Sequence, residues 1–282
     1  MNIGLVLAGG FAKGAYQVGA LQAINEFIPP ESIKCASCSS VGALNGFAYA
    51  TQNLGRAEEM WRNICNSDKR VIVSKIMRSD LLQQDIRELG ETDRALPFPF
   101  YCSFTNLNHM NIVYKNLTKI EAEQLPLYLK ASIAMPVLNP AVKIEGNTYY
   151  DGGIVDNIPV FPLMKYDLDY IICMYFDDAC YKFENTSFDN KMIKITFPSE
   201  GIVGKSLTIG QRDIDEMIQT GYERAKYILK SVFVEGYDNL DYIYNAIKYM
   251  NRGSNSSLRV TTDVLITNIN KVTSKLTKKK IL

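Results

Sequence analysis

Residues 33–46 constrain this chain more than any other stretch. Ile33 to Cys38 reads as a short buried strand, and Ser39-Ser40-Val41-Gly42-Ala43-Leu44-Asn45-Gly46 runs from it into a helix with no spacer. A strand that ends in Ser-x-Gly and turns at once into a helix has the shape of a nucleophile elbow. Such a turn lifts one hydroxyl out of the sheet and holds it at the positive end of a helix. The turn brings backbones close, so it needs a small residue two positions after the nucleophile. Ser40 has Gly42 there, whereas Ser39 has Val41 and Ser37 has Ser39. Ser40 is therefore the candidate nucleophile, with Val41 and Gly42 as its elbow support. The position two before it, usually glycine, is Cys38.

A second strand-to-helix turn precedes this one. Residues 2–8 read as a strand, Gly9-Gly10-Phe11-Ala12-Lys13-Gly14 as a loop, and the following residues as a helix to about Phe27, ended by Pro29-Pro30. Two nucleotide-binding patterns fail here. A phosphate-binding P-loop needs Lys directly after the last Gly and then Ser or Thr, but Lys13 precedes Gly14 and Ala15 follows. The dinucleotide fingerprint needs glycine at its third position, which counted from Gly9 is Phe11. A plain βα turn remains open. So does a loop whose inward N–H groups hold the oxyanion of a tetrahedral intermediate.

The rest of the chain alternates short apolar strands with amphipathic helices, which argues an α/β fold with helices packed on a sheet. Helices are expected at Val41–Thr51, Glu58–Cys65, Lys119–Ile133, Ser206–Val232 and Leu240–Met250. Hairpins are expected at 101–115 and 142–150, and strands at Tyr170–Phe176 and Met192–Phe197. At 282 residues, 47% hydrophobic and 22% charged, the chain can bury a sizeable core. Its net charge of +1 gives no field for nucleic acid. The N-terminus lacks the basic and apolar regions of a signal peptide, and no run is long enough to span a bilayer. The six cysteines show no metal spacing and read as buried thiols, which suits a cytoplasmic setting. The character changes after about residue 235. Residues 1–235 read as one domain and 236–282 as an extension, helical and then a Lys-rich tail that is solvated or touches an anionic membrane.

A serine hydroxyl needs a base. The one histidine, His109, falls among asparagines near a hairpin turn and reads as a surface residue. Asp151 is the better candidate. It ends a short strand, and Gly152-Gly153 leave space around it. A free carboxyl with a pKa near ~3.9 is a poor base at neutral pH, and burial would raise it. Asp156 is the alternative acid, and otherwise reads as a loop or cap residue.

Gly9 to Gly19 resembles the oxyanion motif of patatin-like phospholipases, and Ser40-Val41-Gly42-Ala43-Leu44-Asn45 their nucleophile elbow. Ala131-Ser132-Ile133-Ala134-Met135-Pro136, Asp151-Gly152-Gly153 and Asn157-Ile158-Pro159 are similar to the stretch around the catalytic aspartate, and Thr220-Gly221-Tyr222 also fits; the likeness spans about 2–232. The resemblance implies a three-layer α/β/α sandwich with a central, mostly parallel sheet. It also implies hydrolysis of phospholipid or other acyl-lipid esters by a Ser–Asp dyad without histidine, metal or cofactor. Carried over, Ser40 is the nucleophile, Asp151 the base, and Gly10, Phe11 and Ala12 the oxyanion donors, supported by Lys13 within the loop Gly9–Gly14. Phe11 departs from the usual third glycine, which puts a bulky side chain by the pocket.

Acting on lipids implies peripheral membrane contact, and an enzyme of this kind calls for restraint by a regulatory partner or ligand. Export by a route without a classical signal stays open. A neutral-lipid or thioester hydrolase is an alternative. A catalytically weak lipid-binding or regulatory protein is another, favoured by Phe11 and Cys38.

Overall fold

A computed structural model describes residues 1–65, 70–176, 180–183, 186–197, 208–252 and 256–259. Strand β1 (Ile3–Leu7) leads through a 3-10 turn at 11–13 into α1 (Gly14–Phe27), then β2 (Ile33–Cys38), α2 (Val41–Ala50) and α3 (Leu54–Asn63). A short β3 (Val71–Ile72) and α4 (Val73–Ile76) precede α5 (Asp80–Gly90). Next come β4 (Phe100–Asn106), β5 (Asn111–Asn116), α6 (Leu125–Ser132), β6 (Val142–Ile144) and β7 (Asn147–Asp151). The chain continues with β8 (Tyr170–Phe176), β9 (Cys180–Phe183), α7 (Thr186–Asp189) and β10 (Met192–Phe197). It closes with β11 (Thr208–Ile209), α8 (Gln211–Val232), α9 (Leu240–Arg252) and β12 (Ser256–Arg259).

The main sheet runs β10-β8-β1-β2-β4-β7-β6, with β5 also paired to β4. Its first four pairings are parallel, and those made by β5, β6 and β7 are antiparallel. The alternation of elements predicts an α/β sheet, and the resemblance implies that it is mostly parallel; the structure has both properties. Side chains of the central strands divide between two cores with the two-residue period of a pleated strand. Ile3, Leu5 and Leu7 of β1, and Tyr170, Ile172 and Met174 of β8, face the larger core under the long helices. Val6, Ile171, Cys173 and Tyr175 face a smaller core. That side is covered by Ile158, Leu163 and Leu168, from a segment carrying only short 3-10 turns at 152–154 and 161–165. Phe183 of β9, with Phe188 of α7 packed against this core, adds to the cover.

Several boundaries differ from the sequence expectation. Helix α3 starts at Leu54 and not at Glu58, because Asn53 breaks the helical backbone before it. The stretch expected as helix from Lys119 is two 3-10 turns before α6, whose start is set by Pro126 in its first turn. Helix α8 starts at Gln211, where the Gly210 N–H donates to the Asp213 carboxylate at 2.8 Å. Helix α5 was not anticipated. Ser79 caps it by accepting from the Leu82 N–H at 3.2 Å, with Asp80 in the first turn. Helix α9 packs onto the larger core through Ile243 and Ile247, and the Tyr244 hydroxyl donates to the Asp169 carbonyl at 2.7 Å. The Lys-rich tail lies outside the described residues, as does most of the Gly253–Ser257 stretch. No helix among the described residues is long and apolar enough to cross a membrane.

The tightest helix crossing among the described residues joins α1 to α8, far apart in the sequence. A β-carbon on Gly19 of α1 would sit 1.8 Å from the carbonyl oxygen of Ile218 of α8, and one on Gly221 would sit 2.0 Å from that of Tyr16. Each helix therefore presents a notch to the other's backbone. Any side chain at either position must push the helices apart. Gly19→Ala and Gly221→Ala are each expected to cost at least about 2 kcal/mol in urea unfolding. Gly55→Ala on α3, with nothing within 4 Å of the new methyl, is expected to be neutral or to stabilise by up to about 1 kcal/mol.

Candidate active site

The site is assembled where β1 and β2 end. Ser40 follows β2 with φ 53° and ψ −133°, a backbone state that costs an ordinary residue on the order of 1–3 kcal/mol. Three contacts hold it there. The Ser39 N–H donates to the Leu7 carbonyl at 3.0 Å, and the N–H groups of Gly42 and Ala43 donate back to the carbonyls of Ser39 and Ser40 at 2.9 Å. Gly42 lies so close to β1 that a β-carbon would be 2.6 Å from the Leu7 carbonyl oxygen and 2.8 Å from that of Ala8. The small residue expected two after the nucleophile is thus required by backbone approach. Ser37 and Ser39 are wholly buried, and Ser39 accepts a hydrogen bond from the Ser103 hydroxyl at 3.0 Å. Ser40 alone of the three heads the helix, with the N-terminus of α2 directly behind it. Cys38, fully buried, fits beneath Gly46, where a β-carbon would sit 2.7 Å from its sulfur.

The glycine loop faces Ser40. A β-carbon on Gly9 would lie 2.5 Å from Cβ and 3.3 Å from Oγ of Ser40, so Gly9 makes room for the serine. The Asn157 side chain clamps Gly9 from the far side, accepting from its N–H at 3.0 Å and donating to its carbonyl at 2.9 Å. Gly10 rests against the ring of Phe176, 2.3 Å from where a β-carbon would stand, and Lys13 Nζ lies 5.8 Å from the centre of that ring. The first bond of the 3-10 turn runs from the Lys13 N–H to the Gly10 carbonyl at 3.1 Å. The N–H groups of Gly10, Phe11 and Ala12 precede it and have no helical acceptor. Phe11 adopts φ 52°, the left-handed state that favours glycine, and its ring is partly exposed. Gly14 belongs to α1, where the Trp61 indole occupies the space its side chain would take, at 2.5 Å.

Asp151 ends β7 opposite Phe104 of β4, fully buried. Its N–H donates to the Ala134 carbonyl at 2.8 Å, and its carbonyl accepts from the Thr105 hydroxyl at 3.0 Å. Carboxylate Oδ1 accepts from the Gly153 N–H at 2.8 Å. Oδ2 is buried and makes no hydrogen bond of standard geometry among the described residues. Burial pushes this carboxyl up to about 7, while the neighbouring Ser40 hydroxyl and the Gly153 N–H pull the other way. Gly152 and Gly153 serve space and not conformation. A β-carbon on Gly152 would strike the Ser103 backbone at 2.3 Å, and one on Gly153 would lie 2.7 Å from Asn157 Oδ1 and 3.2 Å from Asp151 Oδ1.

Asp156 is occupied elsewhere, accepting from the Tyr114 hydroxyl at 2.7 Å and the Ile158 N–H at 3.3 Å. His109 is exposed in the β4–β5 turn. The structure therefore brings Ser40, the Gly9–Lys13 loop and Asp151 together and leaves the two alternative bases out.

Two sets of positioning residues escaped the sequence reading. Asn157, noticed only as part of a motif, is the clamp on Gly9. A buried polar network fixes the helices behind the site. Gln17 Nε2 donates to the Ala8 carbonyl at 2.7 Å, and Asn45 Nδ2 donates to Gln17 Oε1 at 2.9 Å and the Gly14 carbonyl at 2.8 Å. Trp61 Nε1 closes it on Asn45 Oδ1 at 2.9 Å. A polar residue at a helix position otherwise expected to be apolar was the available signal.

Comparison with known proteins places these features in context. The family model described as Patatin-like phospholipase matches residues 5–164. A lysophospholipase NTE1 from Mycosarcoma maydis is 29% identical over 173 residues, covering 57% of this chain and 9% of that protein. The lysophospholipase NTE1 of Cryptococcus neoformans var. neoformans serotype D is 30% identical over 182 residues, covering 58% and 10%. The chain thus spans about a tenth of the length of these relatives. The crystal structure of VipD from Legionella pneumophila aligns with a TM-score of 0.52 at 14% identity, over 99% of this chain and 81% of VipD, a likeness of fold.

The raised carboxyl makes a stability prediction with a definite sign. The folded-state value, about 7, lies above the unfolded value near ~3.9. The native state therefore holds a proton that the unfolded chain has lost, and this group's contribution falls as pH rises from about 4 to about 7. Asp151→Asn is expected to raise Tm at pH 8, by roughly 2–4 °C for each kcal/mol relieved. The pH-dependent part of that gain should vanish below pH ~4. A scan of Tm against pH for both proteins checks it.

Proposed function

The chain belongs to the patatin-like phospholipase family, and from that footing we propose that it is a serine lipid acyl hydrolase acting through Ser40 and Asp151. The observation that carries the reading is a buried carboxyl, raised to about 7, beside a serine held in a strained turn at a helix N-terminus. A base titrating near neutrality can take a proton from serine and return it at the operating pH, which an ordinary carboxylate cannot do efficiently.

In this mechanism the substrate carbonyl sits between Ser40 Oγ and the glycine loop. Asp151 accepts the hydroxyl proton as Oγ bonds to the carbonyl carbon. The N–H groups of Gly10, Phe11 and Ala12 receive the developing oxyanion. Collapse expels the alcohol, which takes the proton back from Asp151, and leaves an acyl-enzyme. Water then attacks with Asp151 again as base, releasing the fatty acid and restoring Ser40. The substrate class is the acyl ester of a membrane glycerolipid, of phospholipase A or lysophospholipase type; the name carried by the two relatives supports a lysophospholipid. We assign the catalytic unit to residues 1–235, with 236–282 as an extension, and place the protein in the cytoplasm, meeting the membrane surface as it acts.

The test is fatty-acid release from lysophosphatidylcholine and from a diacyl phosphatidylcholine vesicle. Ser40→Ala and Asp151→Asn should each lower kcat/KM by at least about a thousandfold. His109→Ala should leave it within about twofold. In the wild type, kcat/KM should rise with pH through a midpoint near 7, the direction required of a base that must be ionised. Loss of activity in His109→Ala with activity kept in Asp151→Asn would overturn the dyad.

A further inference from the structure

A groove of about 400 Å³ opens on the face of the sheet that carries the smaller core. Tyr101 of β4, Tyr114 of β5 and Phe161, Pro162, Met164 and Lys165 of the 3-10 turn at 161–165 line it. Phe161 and Met164 are 58% and 47% exposed. Three residues apart in a 3-10 turn, they stand on one side of it and project together. Neither Ser40, Asp151 nor the glycine loop lines the groove, so it is a place distinct from the catalytic centre. It is nonetheless tied to the segment that follows Asp151. Tyr114 pairs with Ser103 in the sheet, Gly152 packs on the Ser103 backbone, and the Tyr114 hydroxyl donates to Asp156 at 2.7 Å.

Two pairs of side chains give the groove opposite electrical preferences. In the first, Lys165 Nζ lies 4.4 Å from the centre of the Tyr101 ring and 5.7 Å from that of Tyr166. The two phenol oxygens are 2.8 Å apart, which fixes the rings beneath the ammonium. No carboxylate pairs with Lys165 among the described residues. An ammonium held by ring faces keeps its N–H donors for an anionic oxygen. In the second pair, Tyr114 and Phe161 pack with ring centres 5.9 Å apart, and the carboxylate of Asp156 sits at the Tyr114 hydroxyl. Aromatic faces backed by a negative group favour a cation. A quaternary ammonium suits them best, because it has no N–H to spend on hydrogen bonds and presents methyl groups to the rings.

We propose that this groove docks the protein on a lipid surface by taking up a phosphocholine headgroup, phosphate against Lys165 and quaternary ammonium against Phe161 and Tyr114. One zwitterion then satisfies both pairs at once. The exposed Phe161 and Met164 select a lipid surface over a soluble ligand, since their apolar side chains gain only where a hydrocarbon boundary covers them. The choice of a lipid partner rests on the reading of the chain as a lipid acyl hydrolase; the groove makes no use of Ser40. Docked in this way, the protein turns the loop that follows Asp151 toward the membrane.

The test is co-sedimentation of the full chain with vesicles of a diether phosphatidylcholine, which has no ester to cleave, or of a diether phosphatidylglycerol. Phe161→Leu keeps an apolar side chain and removes the ring. It should weaken binding to phosphatidylcholine at least about threefold and leave binding to phosphatidylglycerol within about twofold. Phe161→Trp should retain the wild-type preference. Lys165→Glu should weaken binding to phosphatidylcholine by at least about threefold. Hydrolysis of p-nitrophenyl acetate, a soluble ester, should stay within about twofold in all three variants, which shows that they fold. A wild type that fails to sediment with phosphatidylcholine vesicles overturns the groove, as does binding within about twofold of wild type in both Phe161→Leu and Lys165→Glu. Equal losses on the two lipids in Phe161→Leu mark general apolar insertion and overturn the choline assignment. A wild type that binds in the expected pattern but hydrolyses no ester brings down the catalytic reading and leaves the groove standing. An active wild type whose variants bind as it does brings down the groove alone.

Discussion

The contact between Gly42 and the carbonyl oxygens of Leu7 and Ala8 is what the site depends on. Helix α2 can approach the end of β1 this closely only because one residue lacks a side chain. That approach closes the turn after β2 and drives Ser40 into a backbone state an isolated peptide would leave. The strain is held by neighbours on every side: β1 beneath, the Ser39–Leu7 hydrogen bond, and the Gly9 backbone opposite. It also fixes where the loop must be. Gly9 and Ser40 are in van der Waals contact, so any movement of one is felt by the other.

The carboxylate is placed by different means. Asp151 comes from the antiparallel part of the sheet, and its depth is set by pairing with Phe104 and by the bond from its N–H to Ala134. Full burial supplies the raised affinity for a proton, and the Ser40 hydroxyl and the Gly153 N–H on Oδ1 moderate it. A solvated aspartate at the same distance from Ser40 would be ionised but weakly basic. The β-sheet therefore does chemical as well as structural work at this position.

Much of this was legible in the sequence because it depends on local backbone rules. The turn at Ser40 follows from Gly42; the glycine loop fails two nucleotide patterns, which leaves a plain βα turn open, and only the resemblance implies an oxyanion role for it. Asp151 follows from a strand end with two glycines and from the unsuitability of His109. The central strands were legible within a residue or two because they are short and apolar. What escaped was non-local. Nothing near Asn157 announces that its amide will clamp Gly9, 148 residues earlier. The Gln17–Asn45–Trp61 network joins three helices and is invisible to periodicity, which treats each helix alone. Helix α5 was missed although Ser79 and Asp80 form a start signal. The roles of Gly152 and Gly153 were read as space for the carboxylate. The space in fact serves Ser103 and Asn157 as well.

The notch between Gly19 and Gly221 has a consequence for the order of events in synthesis. Helix α1, which begins where the glycine loop ends, is seated against α8, and β1 is flanked on one side by β8. Ser40 and its loop leave the ribosome early, but their supports at residues 170–176 and 211–232 follow much later. Until those later segments are made, the turn at Ser40 lacks part of the frame that holds it. Topology thus joins segments far apart in the chain, so that the frame around Ser40 is completed only once residues 170–232 are in place.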